Sequence, residues 1–210
     1  MAVTAEAPVL AAAERQHLVR RARMLAWASL VWMTAEGAIA VVAGILAGSI
    51  ALIGFGIDSA IEGLASVVII WRFWGARALS ERAERRAQRL VAVQFFILAP
   101  YVAVEALRTL LGGHEPEVSW LGIGLTAASA VAMPWFGIAK QRVGRSLRSA
   151  ATRAEGTQNM LCAYLAVTVL AGLALNAAFE WWWADPLAAL VIAGVAVREG
   201  LKSWRGDDCC

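Results

Sequence analysis

Two acidic residues, Asp58 and Glu62, lie within an otherwise apolar stretch that runs from residue 50 to residue 70. This stretch is long enough to cross a lipid bilayer as a helix. An acidic side chain near the centre of a membrane helix costs roughly 2.5–3.5 kcal/mol on insertion scales. Because the two acids are four residues apart, they share one helical face, about one turn from each other. A bound cation, or a proton shared between the carboxylates, would offset the cost, so we expect this pair to have a function.

A second polar pair, Gln158 and Cys162, has the same four-residue spacing in a later apolar stretch. If the two stretches face each other antiparallel, Asp58 lies level with Cys162 and Glu62 with Gln158. Two carboxylates, a thiolate and an amide oxygen would form a four-coordinate metal site. The thiolate argues against Mg²⁺ and Ca²⁺ and leaves Zn²⁺, Cd²⁺, Co²⁺, Fe²⁺ and Mn²⁺, in descending order of preference. The alternatives stay open that Cys162 is a small core residue and that Gln158 is an interhelical hydrogen bonder.

Three further acids have different expected roles. Glu36 lies in the middle of the first apolar stretch without a partner nearby in sequence, which makes it a candidate proton carrier or a partner in a cation path. Glu105 precedes Arg108 by three residues, a spacing that predicts an ion pair. Glu155 opens the fifth apolar stretch, where a negative charge is expected to stabilise the helix N-terminus.

The composition defines an integral membrane protein of the all-α class. The chain has 210 residues, of which 60% are hydrophobic and only 17% charged, whereas a soluble domain is about half apolar and a quarter charged. Hydropathy predicts six transmembrane helices, at about 24–47, 50–74, 89–111, 119–139, 155–178 and 184–200. The predicted organisation is an N-terminal arm (1–20), a transmembrane domain (21–204) and a short tail (205–210).

The basic residues predict the orientation of these spans. Of the 19 Lys and Arg residues, all except Arg108 fall on one side of the predicted membrane. By the positive-inside rule that side is cytoplasmic, and so are both termini. The positive charge needs no nucleic acid to explain it, because contact with anionic lipid head groups is sufficient. We therefore expect a multi-pass protein of the cell inner or plasma membrane.

Smaller features near the chain's turns and terminus have simpler interpretations. Asp185 and Pro186 are predicted as the N-cap and first position of the sixth helix, and Trp181 to Trp183 as part of an interfacial aromatic belt. The tail at 207–210, Asp-Asp-Cys-Cys, is a solvated end, a metal-collecting segment or a palmitoylation site. His17 and His114 lie outside the spans, and no nucleophile and base are paired in the sequence, so we do not expect an enzyme.

Three motifs in chain order resemble the cation diffusion facilitators. The acids at 58 and 62, with the small residues and serines around them, resemble the acid, three spacers and acid of that family's second span. The segment Ala-Glu-Gly-Thr-Gln-Asn-Met-Leu-Cys at 154–162 resembles the fifth-span motif, and Asp185-Pro186 resembles the start of the sixth span. The likeness covers nearly the whole chain. It is closest to the short branch that lacks a cytoplasmic C-terminal domain, which includes vesicular zinc-transporting membrane proteins.

This resemblance implies a homodimer that exports a divalent cation from the cytoplasm by proton antiport, and the donor set described above makes zinc the preferred ion. It implies Asp58, Glu62, Gln158 and Cys162 as metal ligands, with no organic cofactor. The chain departs from the family by carrying Gln158 and Cys162 where the fifth span has His or Asp followed by Asp, and Glu62 where the second acid is Asp. A softer site would favour Zn²⁺ or Cd²⁺ over Mn²⁺. The alternatives are a membrane metal-binding or sensor protein without transport, and an exporter of another cation.

Overall fold

The computed structural model describes residues 12–47, 50–112, 120–179 and 183–206. Within these ranges the chain forms six α-helices and one short 3₁₀ helix, and no β-strand is present there. The helices are α1 (Ala12–Ala47), α2 (Ile50–Arg72), α3 (Glu81–Gly112), α4 (Trp120–Leu147), α5 (Ala150–Phe179) and α6 (Ala184–Arg205), with the 3₁₀ helix at Gly75–Leu79 between α2 and α3. The all-α class predicted from composition is confirmed.

Three of the described helices are long and apolar enough to cross a membrane, namely α1, α3 and α4. For α2, α5 and α6 the membrane-spanning role stays a prediction from the sequence. Large apolar side chains are exposed along the outer faces of the helices, for example Met24, Val31, Leu46, Leu111 and Val131. Apolar surface of this extent on every side of a helix bundle is typical of contact with lipid.

The helices pack most extensively as three pairs: α1 with α2, α4 with α5, and α3 with α6. Glycines allow the first two pairs to approach closely. A Cβ atom at Gly56 would lie 2.8 Å from the carbonyl oxygen of Gly37, and one at Gly156 would lie 2.9 Å from that of Gly137. Since neither distance leaves room for a side chain, small residues at these contacts fix the α1/α2 pair and the α4/α5 pair.

The ends of α2 and α4 and the starts of α1, α3 and α5 lie together, and we call this the basic end because most of the arginines cluster there. Glu84 in the first turn of α3 joins three helices at this end. Its carboxylate accepts hydrogen bonds from Arg72 Nε (2.7 Å), from Ser149 Oγ (2.9 Å) and from the backbone N–H of Ala151 (2.9 Å). The end of α2 and the start of α5 are therefore both bound to α3.

Several boundaries differ from the predicted spans. Helix α1 begins at Ala12, inside the predicted arm, and α4 continues to Leu147, eight residues past the predicted limit of 139. Helix α6 begins at Ala184 with Trp183 as its N-cap residue, so the prediction of Asp185 as N-cap was wrong by two positions. Hydropathy marks the apolar part of a helix and not its polar extension, which explains the longer helices. The predictions for Trp181 and Trp182, for His114 and for the tail at 207–210 lie outside the described residues.

Candidate metal site

The acids of α2 and the cysteine of α5 meet in the interior of the bundle. Asp58, Glu62 and Cys162 each offer a ligand atom, and these atoms all lie within 4.8 Å of one another. All three side chains are buried, with 9%, 3% and 5% of their surface exposed. Helix α5 runs antiparallel to α2, since Glu62 lies near Cys162 whereas Ser66, further along α2, contacts Glu155, earlier on α5.

Gln158 lies one helical turn before Cys162 on α5 and is 1% exposed. Both atoms of its amide group lack a hydrogen-bond partner among the described residues. The same is true, within those ranges, of Asp58 Oδ1. The carboxylate of Glu62 has the Cys162 thiol as its neighbour and no other hydrogen-bond partner in the described part of the chain. We call Asp58, Glu62, Gln158 and Cys162 the ligand cluster. Buried polar atoms are nearly always paired, and the concentration of unpaired atoms at these side chains makes them the candidate ligands of a bound ion.

The distances in the ligand cluster are compatible with a small divalent ion after modest closure. A tetrahedral zinc site, with Zn–O and Zn–S bonds of about 2.0–2.3 Å, needs ligand atoms roughly 3.4–3.6 Å apart. The ligand atoms lie within 4.8 Å of one another, so a shift of at most about 1 Å, in a rotamer or in the helix spacing, brings them to these distances. Carboxylates and a thiolate are ligands that Zn²⁺ and Cd²⁺ accept, whereas Mg²⁺ and Ca²⁺ prefer oxygen alone.

Glu36 has polar partners that the sequence did not reveal. It is 4% exposed, and its carboxylate accepts hydrogen bonds from Ser129 Oγ of α4 and from Ser59 Oγ of α2, the latter at 3.5 Å. Ser59 directly follows Asp58, so Glu36 lies beside the ligand cluster. Glu105 forms the predicted ion pair with Arg108, at 2.9 Å and on the surface.

Glu155 does not stabilise the start of α5 as predicted. The helix begins five residues earlier, at Ala150, and its first turn is bound by Ser149 and Glu84. Glu155 is 1% exposed and pairs with Lys140 of α4 at 2.7 Å between Oε1 and Nζ. The prediction was wrong because it treated residue 155 as the helix terminus.

Lys140 is the centre of a second buried polar group that sequence reasoning missed. Its ammonium lies within 2.6–3.4 Å of four oxygens, which belong to Ser29, Ser66, Glu155 and Asn159. We call these four residues and Lys140 the lysine cluster. One signal was available in the sequence: Ser66 follows Glu62 by four residues, and Glu155 precedes Gln158 by three, so both lie on the faces that carry the ligand cluster.

Six helices with apolar outer faces, around a buried group of carboxylate, thiol and amide side chains, are typical of a multi-pass membrane protein. Residues 26–205 match the family model described as the cation efflux transmembrane domain. The match covers most of the chain, and the chain therefore belongs to the cation efflux family. Membership in this family points to a transporter of metal cations and not to an enzyme.

Two named relatives are consistent with this membership. The chain is 26% identical over 153 residues to a protein of Synechocystis named as an uncharacterized transporter, which covers 69% of this chain and 49% of that protein. It is 20% identical over 191 residues to Transmembrane protein 163 of Xenopus laevis, covering 90% of this chain and 68% of that protein. The chain thus spans about half the length of the first relative.

Proposed function

We propose that the protein exports a divalent metal cation from the cytoplasm, with zinc preferred, and that Asp58, Glu62, Cys162 and Gln158 hold the ion during transport. The observation that carries this proposal is the ligand cluster itself. It unites two carboxylates and a thiol within 4.8 Å of one another, and its oxygen and amide atoms lack partners outside the cluster in the described part of the chain. Family membership supplies the class of cargo, and the chemistry of the donors supplies the preference.

The direction of transport is the one that the family resemblance implies, and the predicted topology places the arm (1–20) and tail (205–210) in the cytoplasm of a cell inner or plasma membrane. The deprotonated ligand cluster accepts an ion from the cytoplasmic side, and the site then opens to the outside. Protons compete with metal for the same carboxylates and thiolate, so protonation at the outer side releases the ion. Metal export and proton import are coupled because both cations use one set of atoms.

The test is metal flux into proteoliposomes under an imposed pH gradient, with Zn²⁺, Cd²⁺, Co²⁺, Fe²⁺ and Mn²⁺ supplied separately. We expect gradient-dependent flux, largest for Zn²⁺, that is lost in Asp58→Ala. Glu105→Ala is the matched control, since it also removes a carboxylate but from a surface ion pair with Arg108. Folded protein that binds metal but shows no flux with any ion would make it a membrane metal-binding protein. Undiminished flux in Asp58→Ala would exclude the proposed ligand set.

We further propose that the transporter is a homodimer, as the resemblance implies. Light scattering on the purified protein, corrected for detergent, is expected to give twice the chain mass of 22.4 kDa. A mass of one chain at all concentrations tested, together with normal flux, would show that the monomer is the transporting unit.

A further inference from the structure

The ligand cluster and the lysine cluster lie on one seam, between the α1/α2 pair and the α4/α5 pair. Ser66 follows Glu62 by four residues on α2, and Glu155 precedes Gln158 by three residues on α5. Both steps lead toward the basic end, because α2 ends there and α5 begins there. An ion that moves along the seam from the basic end therefore passes the lysine cluster before it reaches the ligand cluster.

Within each helix pair the lysine cluster has its own internal contacts. In the α4/α5 pair, Lys140 Nζ lies 2.7 Å from Glu155 Oε1 and 2.9 Å from Asn159 Oδ1. In the α1/α2 pair, the hydroxyl groups of Ser29 and Ser66 are hydrogen-bonded to each other at 2.7 Å. These contacts do not depend on how far apart the two pairs lie.

Three further hydrogen bonds of the lysine cluster cross the seam, in addition to the bond from Ser129 Oγ of α4 to the Glu36 carboxylate of α1 beside the ligand cluster. Lys140 Nζ donates to Ser29 Oγ at 2.6 Å and to Ser66 Oγ at 3.4 Å. Ser66 Oγ donates to Glu155 Oε1 at 2.7 Å. When the seam opens, the ion pair of Lys140 and Glu155 can stay intact, whereas the contacts to the two serines must break.

Nearer the basic end the seam is filled by apolar side chains. Buried residues of α1, α2, α4 and α5 pack together there with Phe73, which directly follows α2; they include Leu25, Ala26, Ile69, Val143, Leu147 and Ala151. The lysine cluster thus forms the polar layer of a closed region, with the ligand cluster behind it. The hydrogen bonds from the Lys140 ammonium are charged and therefore stronger than neutral ones, which favours the closed state. When the seam opens, water replaces the serines as partners of the ammonium. Such a layer can therefore close and open reversibly.

We propose that Ser29 and Ser66 bind the Lys140–Glu155 pair as a latch that holds the seam closed toward the basic end. The latch opens before a reagent or ion from that side reaches the ligand cluster. That a metal ion passes the open latch rests on the proposed function. The closure itself is a property of the two helix pairs and is tested without metal.

Cys162 provides the readout, because it lies in the ligand cluster and the chain has only three cysteines. In a full-length background with Cys209→Ser and Cys210→Ser, it is the single thiol. A small membrane-impermeant methanethiosulfonate reagent is added to sealed vesicles of either orientation, with no metal present, and the labelling rate of Cys162 is measured. The variants are Ser29→Ala/Ser66→Ala and Ser66→Ala alone, both of which keep the ion pair. The matched control is Ser146→Ala, whose exposed hydroxyl bonds the Arg142 carbonyl of its own helix.

From the side of the basic end we expect the double variant to be labelled about tenfold or more faster than the control, and the single variant to be intermediate. Gel filtration establishes that each variant is folded. Rates equal to that of the control in a folded variant would overturn the latch. In a separate experiment Zn²⁺ is added before the reagent. Slower labelling of Cys162 with Zn²⁺ supports the proposed ligand set, and an unchanged labelling rate counts against that set. The rates measured without metal alone decide whether the latch exists.

Discussion

The ligand cluster and the lysine cluster are neighbours on one seam, and both bury charged groups, but they differ in how those groups are satisfied. The ammonium of Lys140 meets four oxygens within 3.4 Å. Among the described residues, the amide of Gln158 meets no hydrogen-bond partner, and the carboxylate of Glu62 meets only the Cys162 thiol. A buried polar group is stable when its partner is part of the protein. The lysine cluster thus finds most of its partners within the protein, with Glu155 Oε2 lacking one in the described ranges, whereas the partner that we propose for the ligand cluster is the transported ion.

The largest expected effect is on transport, from neutral isosteres in the ligand cluster. We expect Asp58→Asn and Glu62→Gln to lower zinc flux by about 100-fold or more, because each removes an anionic ligand. The same changes should leave the free energy of unfolding unchanged or higher, since an unpaired buried charge is removed. Flux in proteoliposomes and unfolding in mixed micelles measure the two quantities. A loss of stability in both variants would show that these carboxylates have internal partners.

In the lysine cluster we expect the opposite effect on stability, because Lys140→Met should lower the free energy of unfolding. The change leaves Glu155 buried without its counter-ion, which typically costs about 3–5 kcal/mol of stability. Lys202→Met is the matched control, because Lys202 pairs with Glu199 at 2.6 Å on the surface, where its side chain is 38% exposed. Its loss should cost less than about 1 kcal/mol. Equal losses for Lys140 and Lys202 in the free energy of unfolding would contradict the contrast between the clusters.

A smaller effect is expected where α4 and α5 touch. Gly156→Ala would bring a Cβ to within 2.9 Å of the Gly137 carbonyl oxygen, and such overpacking costs about 1–3 kcal/mol. Gly124→Ala on α4 meets nothing within 4 Å and should be neutral or stabilising by up to about 1 kcal/mol, from helix propensity alone. The free energy of unfolding in mixed micelles distinguishes the two variants. Similar free energies for both would show that the close contact between α4 and α5 does not contribute to stability.

The smallest effect concerns the choice of metal. Cys162→Ser replaces a soft sulfur ligand by a hard oxygen, so we expect preference for Zn²⁺ and Cd²⁺ over Mn²⁺ to fall by about tenfold. Competition between these ions in the flux assay measures the ratio directly. If the ratio is the same as in the unchanged protein, Cys162 is a core residue near the path and not a ligand.

Spacing along single helices was sufficient to find the ligand cluster. The pairs Asp58 with Glu62 and Gln158 with Cys162 each repeat one helical turn, and burial of acids in apolar sequence is costly enough to demand a reason. The apolar runs likewise predicted where the six helices lie, because they record the part of each helix that avoids water. Both inferences needed information from only one helix at a time.

Spacing along single helices places Ser66 and Glu155 on the faces of the ligand cluster, but it does not reveal Lys140 or Ser29 as their partners. Ser29 and Lys140 are separated by 111 residues, and no local pattern connects them. Lys140 also stood one residue past the predicted end of the fourth span, so it was grouped with the basic loop. The polar extension of α4 to Leu147 placed it inside the bundle instead. Partners that belong to different helices depend on packing, which a single sequence does not reveal.

The glycine contacts have a consequence for the ion itself. Since Gly37 with Gly56 and Gly137 with Gly156 let each helix pair pack closely, the four proposed ligands come two from each of two closely packed bodies, the α1/α2 pair and the α4/α5 pair. A bound ion then bridges these two bodies, and the lengths of its bonds to the ligands determine the distance between them. Zinc bonds to oxygen of about 2.0–2.2 Å draw the bodies closer than calcium bonds of about 2.3–2.6 Å would. In such an arrangement the radius of the ion determines how far the two helix pairs move toward each other. Selectivity between ions then depends on which spacing of the helix pairs the bundle can adopt.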